Sequence, residues 1–512
     1  MSAGKIVLRN TLFSYGRTLI SAVLTLFSSR WVLADLGASD YGIYGLAGGL
    51  LFFVSFISSI LSQGAGRHLA YATGKGAGDE VTKWFNVALN VFFCLPFLLL
   101  PIGWLIGEIM IRYVLHIETG RIIAALWVFR CSLLSFCAVL IATPYLSLLT
   151  SKQMIHIAAS LMLCHSVALF IIAWCLPYFP SDHLIGYACF VACSYVFLHI
   201  LYIVVCRKLC SDARVRFAYW WDWLKIKSLV GYSGWLCVGT IGTVVNSQGQ
   251  GMLLNWMKGT AANAGAGIGS SLSGQMQTLS NAFLLAISPE VIRREGACSH
   301  ETMLALARRS TRFGMMLLML VAIPLFCECE YVLKLWLGSP PPYAVFFTRI
   351  AILSALCYKM AVGHRMCFQA IGRIRGQQLV ELFVFAGAIL VIGLAYCLSH
   401  SVYVSFSFAV AMQFVYFFVT AIVGSRYYQW PVWDAFYNIG LKSIGCFLCG
   451  QGVFFFAIKQ ILPADSFGRV CFTSGLMVAY VLSYFYLFVF TDDDRMIAAS
   501  SLHKLGMKLK SN

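Results

Sequence analysis

Long apolar runs, each able to cross a lipid bilayer, follow one another along almost the whole chain, and nothing else limits its fold so strongly. Windows of about 19 residues mark candidate spans at 12–35, 42–61, 84–110, 122–149, 157–178, 184–206, 228–256, 261–288, 313–337, 344–371, 378–398, 402–424, 438–461 and 468–491. A spanning helix takes about 20 apolar residues, so fourteen of them take about 280. Of the 512 residues 60% are hydrophobic and only 11% charged, against roughly 45–50% and 25% in soluble domains. A water-soluble enzyme, a disordered chain, a collagen and a small disulfide scaffold are all excluded. The pattern predicts an all-α integral membrane protein with about 14 transmembrane helices, within a range of 12–14. The stretches 122–149 and 228–256 are long for single crossings and read as tilted or kinked spans. The longest connections, 62–83, 207–227 and 289–312, are too short for a separate soluble domain. Lys5 and Arg9 before the first run superficially resemble a signal peptide. The apolar run is too long and lacks a cleavage site, so it reads as a retained span.

The formal net charge is +17. Alternate connections, beginning with the N-terminus and ending with the C-terminus, hold 25 of the 37 Lys and Arg. The opposite set holds four, namely Arg112, Arg121, Lys258 and Arg469, and eight lie inside spans. The positive-inside rule then places both termini in the cytoplasm. It also accounts for the charge without nucleic acid, which would need a folded basic surface. Trp31, Trp84, Trp104, Trp174 and Trp336 sit near span ends, as interfacial anchors do. The 19 cysteines are scattered mostly within spans and read as small hydrophobes. Cys327-Glu328-Cys329 has no partners nearby that would complete a zinc set.

A weak internal repeat runs through the chain. Gly16 and Gly234 are 218 apart, each near the start of a span. Gly45-xxx-Gly49 and Gly265-xxx-Gly269 are 220 apart. Pro96 and Pro324 are 228 apart, each in a third span, and Arg130 and Lys359 are 229 apart, each a cation in a fourth. The constant order and slowly growing offset predict two pseudo-repeated six-helix lobes, 1–206 and 228–424. A cytoplasmic linker, 207–227, joins them, and 425–512 adds two further spans and a cytoplasmic tail. Both lobes begin on the same side, so the repeat is parallel. Tyr219, Trp220, Trp221 and Trp223 beside Lys225 and Lys227 suit an interfacial helix or a plain linker.

Polar residues fall on matching spans of the two lobes. Ser14, Arg17, Ser21, Thr25 and Ser28 share one face of the first span, and Ser55, Ser59 and Ser62 mark the second. Asn246 and Gln250 lie in the seventh, and Ser273, Gln277 and Asn281 in the eighth. Such residues either glue helices together or line a polar cavity. The serines fit the first reading, and the amides Asn246, Gln250 and Gln277 the second. Charges inside spans are costly and mark functional sites. The cationic candidates are Arg17, Arg30, Arg130 and Lys359, with Glu381 the main acid. A cation-rich cavity suits an anionic substrate such as a phosphate or diphosphate head group. An exporter of organic cations would more naturally show a lone buried carboxylate. The sequence offers no catalytic residues. It has no G-x-x-x-x-G-K-[ST], H-E-x-x-H or G-x-S-x-G motif, no cofactor fingerprint and no metal-ligand set.

The run Ser29-Arg30-Trp31-Val32-Leu33-Ala34-Asp35-Leu36-Gly37-Ala38-Ser39-Asp40-Tyr41-Gly42-Ile43-Tyr44 resembles the opening of polysaccharide-type (Wzx-like) flippases of the multidrug/oligosaccharidyl-lipid/polysaccharide (MOP) exporter superfamily. Gln63-Gly64-Ala65-Gly66-Arg67, Ser288-Pro289-Glu290 and Gly372-Arg373 also resemble that family. The resemblance implies two six-helix bundles working by alternating access in a bacterial inner membrane. The implied cargo is an undecaprenyl-diphosphate-linked oligosaccharide used for O-antigen or exopolysaccharide assembly. Asn246, Gln250 and Gln277 would meet sugar hydroxyls and the buried cations the diphosphate, while Glu381, which matches no motif of that family, is the candidate ion-coupling site. Implied partners are the lipid-linked oligosaccharide, membrane lipids and other polysaccharide assembly proteins. Two alternatives stand beside this expectation, a multidrug or organic-cation antiporter of the same superfamily and a membrane glycan polymerase or acyltransferase. External connections of about ten residues or fewer weigh against the enzyme.

Overall fold

The computed structural model describes residues 3–49, 52–76, 78–114, 117–179, 182–461 and 466–496. Every regular element among them is a helix. Eleven helices are long and apolar enough to cross a membrane, or twelve if the bent pair at 344–371 is one span. The eleven do not include the eighth stretch, whose serines, glycines and amides lower its hydropathy, nor the second, which is interrupted by residues 50 and 51 outside those described. The tail 497–512 lies outside what the structure describes, and of Lys5, Arg9, Ser14, Gly45 and Ser55 only the helical backbone is described.

Two compact units divide the chain, Met1–Cys237 with Ala286–Ser299, and Val238–Leu285 with His300–Asn512. The first holds α1 (Ala3–Gly49), α2 (Phe52–Gly74), α3 (Gly78–Ile109), α4 (Ile122–Ser151), α5 (Ile155–Cys175) and α6 (His183–Leu209). α1 carries a break at Gly37, whose φ of 73° is left-handed and favours glycine there. Just past the break, Asp40 and Asp182 both pair with Arg121 and tie the ends of α1, α4 and α6 together. α7 (Trp223–Gly296) runs through both units and carries the seventh and eighth apolar stretches. A straight helix of 74 residues would be about 111 Å long. α7 is not straight. A Cβ added to Gly251 would lie 3.5 Å from Asn263 Oδ1, twelve residues on, where straight geometry demands about 18 Å. The helix therefore folds back between the two stretches.

The second unit adds α8 (His300–Cys327), α9 (Cys329–Leu337), α10 (Ala344–Met360), α11 (Val362–Ile371), α12 (Arg375–Ser399) and α13 (Val402–Ser425). The two final stretches follow as α14 (Val432–Ala435), α15 (Lys442–Val453), α16 (Lys459–Ile461) and α17 (Phe467–Tyr484), interrupted by π-helical turns. Pro96 and Pro324 lie inside α3 and α8.

The parallel repeat appears as equivalent packing inside each unit. In the first, α1 packs on α5, α2 on α4, and α6 on both α4 and α5. In the second, the first half of α7 packs on α12, its second half on α10, and α13 on both α10 and α12. Gly242 has no room for a side chain, since an added Cβ would lie 2.6 Å from Leu382 Cα. Gly265 and Gly269 are equally tight, 2.5 Å from Pro342 O and 2.8 Å from the Phe347 backbone. These contacts are the small-xxx-small approach of membrane helices. A further sign is reciprocal. A Cβ at Gly74 would strike the Arg293 backbone, and one at Gly296 would strike Tyr71. Both pairings map onto each other with an offset of 222, as a two-fold related contact requires.

The 207–227 segment is not a continuous interfacial helix. It forms 3-10 turns at Ser211–Ala213 and Phe217–Tyr219 before α7 begins. Two buried amides of α3 hold it. Asn86 donates to Arg214 O at 2.9 Å and accepts from the Arg216 amide at 2.7 Å, and Asn90 donates to Trp220 O at 2.7 Å. The backbone polar groups of this connection are satisfied by side chains rather than by helix. Trp221, Trp223 and Leu224 remain largely exposed beside it.

Candidate functional site

A buried polar group lies where α10, α11, α12 and α13 meet in the second unit. α10 ends at Met360 and α11 starts at Val362 with a 40° bend. The bend swings Arg365 back onto its own chain, where its guanidinium donates to the Tyr358 hydroxyl. Tyr358 in turn donates to Glu381 Oε1 at 3.2 Å. Gln377, one turn before Glu381 on α12, donates to Glu381 Oε2 at 2.8 Å and to Tyr416 of α13 at 3.2 Å. Gln378 completes the chain by donating to Gln377 Oε1 at 3.0 Å. Glu381 is only 3% exposed, so without these donors its charge would cost several kcal/mol, on the order of a buried unpaired ion. The Tyr358 and Tyr416 rings stack 5.6 Å apart over it. The α7 backbone closes the remaining side, with a Cβ at Gly239 meeting both Gln378 and Glu381.

Lys359, the neighbour of Tyr358, points away from this chain. It is 4% exposed, and its ammonium donates to Asn281 Oδ1 at 2.6 Å. Asn281 is exposed on the second half of α7. Gln277, one turn earlier, donates to Ser273 O at 3.3 Å. The structure thus joins Lys359 to the Ser273–Gln277–Asn281 face. An amide accepts a hydrogen bond from the ammonium but does not neutralise it.

The other sequence candidates fall elsewhere. Asn246 and Gln250 form a pair of their own at 2.9 Å. Arg17, Arg30 and Arg130 belong to the first unit. Arg17 lies against Met162, with its Nε lacking an acceptor, and Arg30 is exposed. Arg130 donates to Glu108 at 2.6 Å and lies 5.0 Å over the Trp104 ring. The serine stripe of α1 mostly folds back on itself, as Thr25 donates to Ser21 O and Ser28 to Leu24 O, while Ser21 meets Ser166 at 2.8 Å. Tyr358, Gln377, Gln378 and Tyr416 were not expected from sequence. The spacing of Gln377 four residues before Glu381 was the available signal, obscured because 377 falls at a span edge. Among the described residues no group of three or more His, Cys, Asp or Glu is placed to hold a metal ion.

This architecture is the fold of MATE transporters of the MOP superfamily. A multidrug resistance MATE family transporter of that superfamily in an outward-facing conformation superposes with a TM-score of 0.70 at 12% identity, over 84% of this chain and 96% of that one. A MATE in the bent conformation gives 0.70 at 13%, over 82% and 94%. A MOP superfamily transporter from Pyrococcus furiosus gives 0.66 at 12%, over 84% and 96%. No family model and no curated protein matches the sequence.

Proposed function

We propose that the chain is a secondary transporter that flips a polyprenyl-diphosphate-linked oligosaccharide across the bacterial inner membrane by alternating access. The cargo serves surface polysaccharide assembly. One observation carries this reading. Lys359 is a buried ammonium whose partner is a neutral amide rather than a carboxylate, so no protein counter-charge competes with an anionic head group for it. The amides of Gln277 and Asn281 beside it suit sugar hydroxyls. Arg130 is a weaker diphosphate ligand than its position in the repeat suggested, because Glu108 already compensates it. Glu381 serves as the ion-coupling group, with its ionisation reported to α10 and α13 through Tyr358 and Gln377.

A multidrug or organic-cation antiporter is the second reading, favoured by the multidrug relative. A relative from Pyrococcus furiosus is described as having a binding pocket of reversed polarity that suggests a different function. The same fold therefore accommodates pockets of different sign. The discriminating experiment is Lys359→Met in the native host. We expect surface polysaccharide to fall at least tenfold while membrane-extracted protein and its melting temperature hold, because replacing a buried charge with an apolar chain is often neutral or stabilising. Full surface polysaccharide in that variant overturns the cargo assignment, and loss of cation-dye efflux instead selects the antiporter.

A further inference from the structure

The second unit contains a cavity of about 300 Å³ between the end of α8, the start of α9, the first half of α10, and the two last spans. Ligand sites begin at about this size. It opens where α8 stops at Cys327 and α17 begins near Arg469, at the span ends opposite the cation-rich connections. Positive charge is scarce on that side, with four Lys and Arg in its connections. Yet Arg349, Lys459 and Arg469 all line this one cavity. Topology does not call for cations there.

Their partners separate them. Arg469 is spent on Glu328, donating through Nε at 2.9 and 3.2 Å and through Nη2 at 2.6 Å. Glu330 is held by Lys334 at 2.9 Å. The two acids of the cavity are therefore occupied. Arg349 lies over the Phe326 ring at 5.4 Å, and its buried Nε has no hydrogen-bond acceptor. Gln451 accepts from Cys327 at 3.5 Å, while its buried Nε2 has no acceptor either. Lys459 lies 5.4 Å from the Phe455 ring, just after a π-helical turn that re-aims the chain. The cavity presents an unmatched guanidinium, an unmatched amide N–H and an ammonium, set among aromatic rings.

From this arrangement we infer that the cavity binds a phosphoryl anion, with Arg349, Gln451 and Lys459 as its donors. A fork of guanidinium N–H groups suits phosphate geometry, and the rings suit the apolar part of a phospholipid. The inference concerns a peripheral site and holds whichever cargo the protein carries.

The test uses purified full-length protein in nanodiscs of phosphatidylcholine, with and without phosphatidylglycerol. Retained phosphatidylglycerol is counted by native mass spectrometry and the melting temperature is followed. Wild-type protein should retain phosphatidylglycerol and melt higher with it. Arg349→Gln/Lys459→Gln should retain it about tenfold more weakly, as loss of charge-assisted hydrogen bonds predicts, and lose the rise in melting temperature. Inorganic phosphate added to phosphatidylcholine discs separates the sources. A matching rise that the double variant lacks identifies a soluble anion, and no rise identifies the lipid head group. If the double variant fails to fold, Lys459→Gln at its exposed position carries the same comparison. Equal retention and equal melting in variant and wild type overturn the inference.

Discussion

Asp494, in the connection after the last span, is fully buried and placed between two arginines of α8. Arg309 and Arg312 each donate to it at 2.7 Å, and the Thr491 amide adds a third bond at 3.2 Å. Burial works against its ionisation, but the Arg312 charge and the bonds from Arg309 and Thr491 outweigh that and hold the carboxyl below its usual range. The sign follows from linkage. The folded state favours the ionised form, so this stabilisation is complete above the ordinary carboxylate pKa of about 3.9 and is lost as pH falls through the depressed folded value. Asp494→Asn should therefore lower the melting temperature at neutral pH and narrow the gap to wild type in acid. An unchanged gap between neutral and acid pH would contradict it. Glu328 and Arg469 make the complementary case, since both are almost fully buried with bidentate contact. Removing one strands the other, so Arg469→Ala should cost about 3–5 kcal/mol, read as a lower melting temperature. Glu328→Gln/Arg469→Met should recover most of it. Neither role was visible in the sequence, where Arg469 counted only as one of four cations on the cation-poor side. What a charge does depends on which distant residue meets it, and Glu328 and Arg469 are 141 positions apart.

At the level of helices, the apolar period made most spans legible, because a bilayer demands the same length and composition of every crossing. The eighth stretch, 261–288, is more polar than a simple span, yet its packing on α10 places it as the equivalent of α2 on α4. One feature escaped the period. The 207–227 connection suited an interfacial helix by its aromatic residues, whereas Asn86 and Asn90 of α3 capture its backbone instead. The glycines of α7 were legible as a motif but not as contacts. Gly265, Gly267 and Gly269 look alike in sequence, yet only the first and third press on the α10 end, while a Cβ at Gly267 would meet nothing within 4 Å. Gly267→Ala should therefore leave stability unchanged or raise it by up to about 1 kcal/mol, the helix propensity gain. Gly269→Ala must displace the Phe347 backbone and should cost about 1–3 kcal/mol, as overpacking does. Melting of the two purified variants in one detergent checks the contrast, and equal shifts would contradict the α7–α10 packing.

For the whole molecule, the repeat was the most informative long-range signal. Its sequence offsets ranged from 218 to 229, and the reciprocal crossing of Gly74 with Arg293 and of Gly296 with Tyr71 fixes a local value of 222. A drift of this kind is what small insertions between equivalent spans produce. A parallel repeat also has a consequence for topology. Equivalent connections of the two lobes, 62–83 and 289–312, must lie on one side, and both are rich in Lys and Arg. The two final helices return the chain to that side after the second lobe, so the C-terminus should share it. Green fluorescent protein fused after Asn512 should therefore fluoresce in the bacterial host, because it matures in the cytoplasm. Alkaline phosphatase fused after His400, between α12 and α13, should be active, because that enzyme requires the periplasm to form its disulfides. The reverse pair of signals would invert the whole protein, while active phosphatase with a dark fusion after Asn512 would mean an even number of crossings between them. In the second case one of the last stretches does not span, and the cavity lined by Arg349 and Lys459 would no longer lie between two crossing helices.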